Sequence, residues 1–251
     1  MARRRFFVPE VRRGTAELSG YDAEHLVRVL RVEPGQVFEI SDNQHVYLAE
    51  VKTARKSLVQ FEVRERLTEA EHGADIILLP ALIKFDSFEW MIEKATELGV
   101  GAIHPFEAVR SERGLLQASA KRLGRWQRIA LEASQQSRRV RMPVITAAGN
   151  FTTAVRSGAE LRLLLDESQG APPILGTLPK HPLASDHVSF LLGPEGGWTE
   201  QERNEALSLG WKPCSLGDTI LRAETATIAA LSIVQAFWTA ARAEHTATSL
   251  E

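Results

Sequence analysis

Residues 191–202 read LLGPEGGWTEQE, and the fold follows from how this stretch is parsed. An apolar run, Phe190 to Leu192, meets Gly193, Pro194, Gly196 and Gly197, and Thr199 then stands three residues before Glu202. T-x-x-E is a capping box, so a helix opens there. Strand, glycine turn and helix in succession are the repeating unit of a parallel α/β sheet. The loop then lies at the carboxyl end of a strand, where open sheets bind ligands. Gly193, Gly196 and Gly197 can take positive φ and leave backbone N–H and C=O groups uncovered. Two readings are open: a tight turn that simply needs glycine, or a backbone that something approaches closely. The spacing is neither G-x-G-x-x-G nor a Walker A loop, since Trp198 follows Gly197, and no H-E-x-x-H or G-x-S-x-G occurs.

Outward from this point, β/α alternation continues back to Asp75. IILLPALI (76–83) reads as a strand buried on both faces. DSFEWMIEKATELG (86–99) reads as a helix with Asp86 at its cap, Glu89 three residues on, and Gly99 as its stop. AIHPF, RMPVI and LRLLLDE read as strands, a long helix is expected over 117–137, and a short one near 151–157. APPILGTLPKHPLAS is a proline-rich loop. The last helix, from about Glu224 to Ala243, is apolar on most sides, as a helix buried in a core or against a second subunit would be. Before Asp75 the chain changes character. QVFEI and HVYLAEV flank the turn signal Asp42-Asn43, and Val59, Phe61 and Val63 alternate with Gln60, Glu62 and Arg64. One helix, DAEHLVRVL, has Asp22 as its expected cap. The expectation is α/β: a small N-terminal β-barrel over 1–72 and a mostly parallel sheet with helices on both faces over 73–246.

Composition bounds the function. The chain has 251 residues, 44% hydrophobic and 25% charged, with a formal net charge of -2, so it is globular and has no global attraction to nucleic acid or membrane. A single cysteine, Cys214, excludes a disulfide framework and a multi-cysteine metal site and fits a reducing cytoplasm. No uncharged apolar run is long enough to span a bilayer, and MARRRFFVPEVRR has no apolar core of signal-peptide length. Charge is local instead. Between Arg110 and Arg141 stand nine basic side chains and two acidic ones, a field able to gather phosphates, or else a solvated helix face. Phe6 and Phe7 suit base stacking, but core burial of at least one is the stronger expectation.

SLGDTILRAETATIAAL (215–231) repeats the strand–loop–helix design. Its loop holds apolar Ile220 and Leu221 beside Arg222. A loop built only for phosphate has little use for them, whereas an adenine ring needs apolar cover on its faces and backbone groups at its edge.

LLGPEGG followed by LGDTILRAETA resembles the C-terminal signature of the SPOUT-class, knotted RNA methyltransferases, and among these the RsmE family of 16S ribosomal RNA uridine-N3 methyltransferases. EKATELGV (93–100) and EASQQSRRVRMPVI (132–145) resemble the same family's helix and its E-x-x-x-Q-S/C-G-R-x-x-x-P segment, and RRFFV with the β-rich region after it resembles its PUA-like RNA-binding domain. The resemblance covers nearly the whole chain. It implies a trefoil knot, bound S-adenosylmethionine, a homodimer in the cytoplasm, and 16S ribosomal RNA of the small ribosomal subunit as substrate, with no metal and no membrane. It implies one cofactor wall from Gly193, Glu195, Gly196 and Gly197 and a second from Leu216, Gly217, Ile220, Leu221 and Arg222. Thr225 and Ala226 then lie near the methionine end, and Leu165 in the first knot-forming loop. Arg222 is the expected catalytic residue, holding the target base or its developing anion; Glu224 is expected to cap the last helix, the other reading being a part in proton removal. RNA contacts are expected from Arg3, Arg5, Arg12, Lys84, Arg138 and Arg139. Two departures stand out: Phe85 and Ser87 replace a glycine and a second lysine after Lys84, and Ser137-Arg138 stands where the family has Gly-Arg. The alternatives are a SPOUT enzyme for another RNA, and an RNA-binding module with a dead site.

Overall fold

The computed structural model describes residues 5–68, 74–168, 170–183 and 185–248, the last five of these without their side chains. Its contacts group Met1–Ala70 with Leu131–Met142, and Glu71–Ala130 with Pro143–Glu251.

In the first unit, β1 (Arg5–Phe7), β2 (Thr15–Ser19), α1 (Gly20–Arg28), β3 (Val37–Ser41), β4 (Val46–Arg55) and β5 (Leu58–Arg66) form a five-stranded sheet in the order β1-β3-β4-β5-β2. β1 lies parallel to β3, and the other pairs are antiparallel. Register shifts in β4 bend the sheet around a core of Phe6, Leu18, Leu26, Ile40, Val51 and Phe61. Phe6 and Phe7 are both buried in the hydrophobic interior, so neither is a stacking platform. Asn43 takes φ 68 in the expected turn. Asp22 does not cap α1: Ser19 holds that position, and Asp22 falls in the first turn, where its charge still favours the helix N-terminus. Residues 131–142 dock through backbone. Ser41 Oγ donates to the Val140 carbonyl, and Met142 N–H donates to Asn43 Oδ1 at 3.0 Å. Arg138 takes φ 56, a left-handed conformation costly to any residue but glycine. Counted from Glu132, the family pattern puts its glycine at 138 and not at 137, so the departure is Arg138 alone.

The second unit begins with β6 (Asp75–Pro80), α2 (Phe85–Glu97), β7 (Ala102–Ile103), β8 (Phe106–Glu107), α3 (Leu115–Ser119) and the first part of α4 (Leu123–Gln136), whose residues from Leu131 on group with the first unit. It continues with β9 (Val144–Ile145), β10 (Gly149–Asn150), α5 (Phe151–Arg156), β11 (Leu161–Leu165), α6 (Ile174–Thr177), β12 (His187–Leu192), α7 (Glu200–Ser208), β13 (Lys212–Cys214) and α8 (Ala223–Thr248). Its main sheet has six strands in the order β13-β11-β12-β6-β7-β9, parallel throughout. Alternate residues of β12 supply two cores: Val188, Phe190 and Leu192 face Phe88, Trp126, Leu231 and Trp238, while Leu191 faces Phe151, Val155 and Ala206. Both faces are therefore covered, which is why these strands read as continuous apolar runs.

Three local expectations change. α2 starts at Phe85 with Lys84 before it, so Asp86 lies inside the first turn, and Glu89 is buried in an ion pair instead of completing a box. AIHPF is two short strands, because Pro105 interrupts the ladder. The long helix is broken at 120–122, where Lys121 N–H and Arg122 N–H bond three residues back, to Ala118 and Ser119, and the Ser119 hydroxyl donates to the Leu116 carbonyl. Gly99 does close α2, with φ 91.

Candidate active site

The carboxyl ends of β6, β11, β12 and β13 carry the loops on which the expected residues stand. Thr199 caps α7 as read: its hydroxyl accepts Glu202 N–H at 3.2 Å, and Glu202 Oε2 accepts Thr199 N–H at 3.0 Å. The other Glu202 oxygen accepts Val109 N–H at 2.9 Å, which ties the helix start to the segment after β8.

Of the three loop glycines only Gly197 takes positive φ, at 68, with its N–H on the Pro194 carbonyl at 2.8 Å. The other two are required for space. A Cβ on Gly193 would stand 3.0 Å from Cε2 of Trp198, and one on Gly196 3.1 Å from Cβ of Arg110. Trp198 is the wedge beneath the loop. Its ring stacks on Phe106 at 6.3 Å and tilts against Phe151 at 6.1 Å. Its indole N–H donates to the Leu165 carbonyl at 2.9 Å, which brings Leu165 to the glycine loop.

The second loop reaches the same edge. β13 ends at Cys214, short of Leu216. Asp166 N–H donates to the Cys214 carbonyl at 3.0 Å, and Ile174 N–H to the Ser215 carbonyl at 2.9 Å, so the segment after β11 runs beside the start of this loop. Gly217 takes φ 133 with its N–H on Ser215 Oγ at 3.1 Å. Ile220 is 78% exposed. Leu221 is half-buried. Among the described residues the backbone N–H groups of Glu195, Gly196, Asp218, Thr219, Ile220 and Leu221 donate to nothing. Two loops with uncovered donors and apolar side chains between them suit a flat heteroaromatic ligand whose edge is read by backbone.

Arg222 immediately precedes α8. It is exposed, and among the described residues its guanidinium has no ion pair or hydrogen bond. Thr225 is exposed, and Ala226 N–H donates to the Arg222 carbonyl at 2.8 Å. Glu224 does not cap the helix: it lies within the first turn, buried, with one oxygen accepting from Ser87 Oγ at 3.3 Å and the other without a partner among the described residues. Lys84 is exposed at the start of α2.

Two structural residues escaped the sequence reading. Asp166, 5% exposed, receives Arg203 at both oxygens, 2.8 and 3.0 Å, and locks α7 to the end of β11. Arg110 donates to the carbonyls of Gly196 at 3.0 Å and Trp198 at 3.2 Å. Burial, with Asp166 adding to it, pushes the Cys214 thiol up to about 12, so it is no nucleophile. Burial also lowers the affinity of His104 for a proton. Among the described residues no group of acidic, histidine or cysteine side chains is placed to hold a metal ion, and no helix is long and apolar enough to cross a membrane.

The basic field between 110 and 141 is smaller than the sequence count. Glu89 takes Arg122 and Arg125 at 3.0 and 2.7 Å, and Glu39 takes Arg138. Arg5, with its side chain 11% exposed, is also bound to Glu39, at 2.8 Å. Arg12 is exposed and, among the described residues, pairs with Glu10 alone, and Arg139 Nε donates to the Arg141 carbonyl at 2.9 Å. Arg3 lies outside the described residues.

A family model described as an RNA methyltransferase domain matches residues 70–235, and one described as an RNA methyltransferase PUA domain matches 18–64. The chain is 36% identical to the ribosomal RNA small subunit methyltransferase E of Synechocystis sp., over 94% of this chain and 78% of that relative. It is 32% identical to the protein of the same name from Bacillus subtilis, over 88% of this chain and 89% of that one. The crystal structure of the Neisseria gonorrhoeae ribosomal RNA small subunit methyltransferase E bound to S-adenosyl methionine superposes with a TM-score of 0.85 at 30% identity, covering 94% of this chain and 98% of that one.

Proposed function

Because the chain belongs to the ribosomal RNA small subunit methyltransferase E family, we propose that it transfers the methyl group of S-adenosylmethionine to N3 of one uridine in 16S ribosomal RNA. The observation that carries this reading is the pair of loops, Gly193–Trp198 and Ser215–Arg222, at the carboxyl ends of β12 and β13, which flank β11 in one parallel sheet; among the described residues the N–H groups of Glu195, Gly196 and Asp218–Leu221 donate to nothing and the Arg222 guanidinium has no partner. The cofactor fits this edge. Backbone N–H groups of Glu195, Gly196 and Asp218–Leu221 suit the acceptors of an adenine edge, and Ile220 and Leu221 suit its faces. When bound, it supplies a methyl group on a positively charged sulfur.

The chain's own residues then have three tasks. The glycine loop and Leu165 fix the cofactor's position, and positioning is a large share of catalysis when the electrophile is already reactive. Arg222 faces the target base and stabilises the negative charge that develops as N3 gives up its proton to solvent water. Lys84, Arg12 and Arg139 hold phosphates, with residues 1–72 as the gripping domain and 73–246 as the chemical one. Two copies pair through α8 in the cytoplasm. Replacing Arg222 by Ala tests the reading: single-turnover methyl transfer to small ribosomal subunits should collapse while S-adenosylmethionine and RNA still bind. A full rate in that variant would remove Arg222 from the chemistry.

A further inference from the structure

Arg110 belongs by sequence to the basic stretch that suggests phosphate binding, yet its side chain, on an exposed residue, reaches to the carbonyls of the glycine loop. One guanidinium nitrogen, Nη1, donates to both the Gly196 and the Trp198 carbonyls, at 3.0 and 3.2 Å. The aliphatic stem lies against Gly196 so closely that a Cβ there would meet Arg110 Cβ at 3.1 Å and Cδ at 3.5 Å. The neighbouring residues are engaged as well. Val109 N–H donates to Glu202 Oε1 at 2.9 Å, and the Ser111 hydroxyl donates to the Leu82 carbonyl at 3.0 Å. Residues 109–111 therefore clamp the loop after β12 on one side and the loop after β6, which leads to Lys84, on the other.

We propose that Arg110 is a positioning residue for the cofactor: by holding the Gly196 and Trp198 carbonyls it pins the end of the loop, and with it the course of the backbone that presents the uncovered Glu195 and Gly196 N–H groups. The inference rests on reading this edge as the S-adenosylmethionine site. A peptide whose carbonyl is held by a charged donor cannot flip without losing a charge-assisted bond. The N–H groups of these two peptides, on Gly197 and Thr199, are themselves bonded to the Pro194 carbonyl and to Glu202, so both peptides are held at each end and the backbone before them, with the Glu195 and Gly196 N–H groups, keeps one course.

The test uses the full-length protein, Arg110→Met, which keeps the stem against Gly196 but has no donor, and Arg110→Lys, whose ammonium can reach the same carbonyls. Calorimetric titration with S-adenosylmethionine should show Arg110→Met weakened on the order of tenfold or more, as loss of charge-assisted bonds implies, and Arg110→Lys partly restored. The Michaelis constant for the cofactor should rise more than kcat falls. Amide exchange at 195–198 should quicken in Arg110→Met, and the salt dependence of RNA binding should match the parent. Cofactor affinity and exchange both unchanged would overturn the proposal, and so would a lowered salt slope with parental cofactor affinity, which would return Arg110 to the phosphates. If the parent itself fails to bind S-adenosylmethionine, the reading of the edge falls, while the exchange measurement still decides whether Arg110 sets the loop.

Discussion

Gly193→Ala adds one methyl group against the packed indole of Trp198. Its Cβ would stand 3.0 Å from Cε2 and 3.2 Å from Nε1 of Trp198. The indole cannot retreat cheaply, since Phe106 stacks on one side, Phe151 tilts against it, and its N–H is spent on Leu165. Overpacking of a filled core costs about 1–3 kcal/mol, and losing the indole hydrogen bond adds about 1 kcal/mol. Because the displaced ring carries the bond to Leu165, the cofactor wall moves with it, and a misplaced wall weakens S-adenosylmethionine by about tenfold. Urea unfolding followed by tryptophan fluorescence reads the first effect and calorimetry the second. Gly149→Ala is the control: nothing lies within 4 Å of the added carbon, so its stability should stay within about 0.5 kcal/mol of the parent. A Gly193→Ala protein with parental midpoint and parental affinity would refute the wedge role of Trp198.

Glu202→Ala removes both the capping box and the acceptor for Val109 N–H, and should cost about 1–3 kcal/mol in urea unfolding. Arg5→Ala should destabilise the N-terminal unit by leaving Glu39 with one partner fewer, whereas Arg12→Ala should leave stability alone and lower the log–log salt slope of RNA binding by roughly 0.7–0.9. Cys214 should resist a thiol reagent at pH 8 in the native protein and react at once in urea. The stability it contributes is intact below its ordinary value of 9.0 and is lost as pH rises from there toward about 12, which an alkaline unfolding series compared with Cys214→Ala would show.

What could be read from the sequence was local. Thr199 and Glu202 are three residues apart, so their box is visible as a pattern, and Gly99 marks its helix end in the same way. β6 and β12 announced themselves as runs with no polar face. The misreadings of charge and of the glycine loop share one cause: partners distant in the chain. Glu39 and Glu89 neutralise part of a basic stretch that looks uncompensated when counted along the sequence. Asp166 and Arg203 are 37 positions apart, and Arg110 and Gly196 are 86 apart. Gly196 looked like a residue needed for its φ, and is one needed for lack of a side chain, a distinction that depends entirely on Arg110 lying against it. Arg138, left-handed where the family pattern has glycine, could have been found by counting from Glu132.

The most direct test of the central claim is the identity of the product. Small ribosomal subunits that lack the modification are incubated with this protein and S-adenosylmethionine carrying a labelled methyl group, and the 16S RNA is digested to nucleosides and analysed by mass spectrometry. The account predicts label in 3-methyluridine at one position. Label in another nucleoside, label on another atom of uridine, or no label with a protein that binds the cofactor would contradict it.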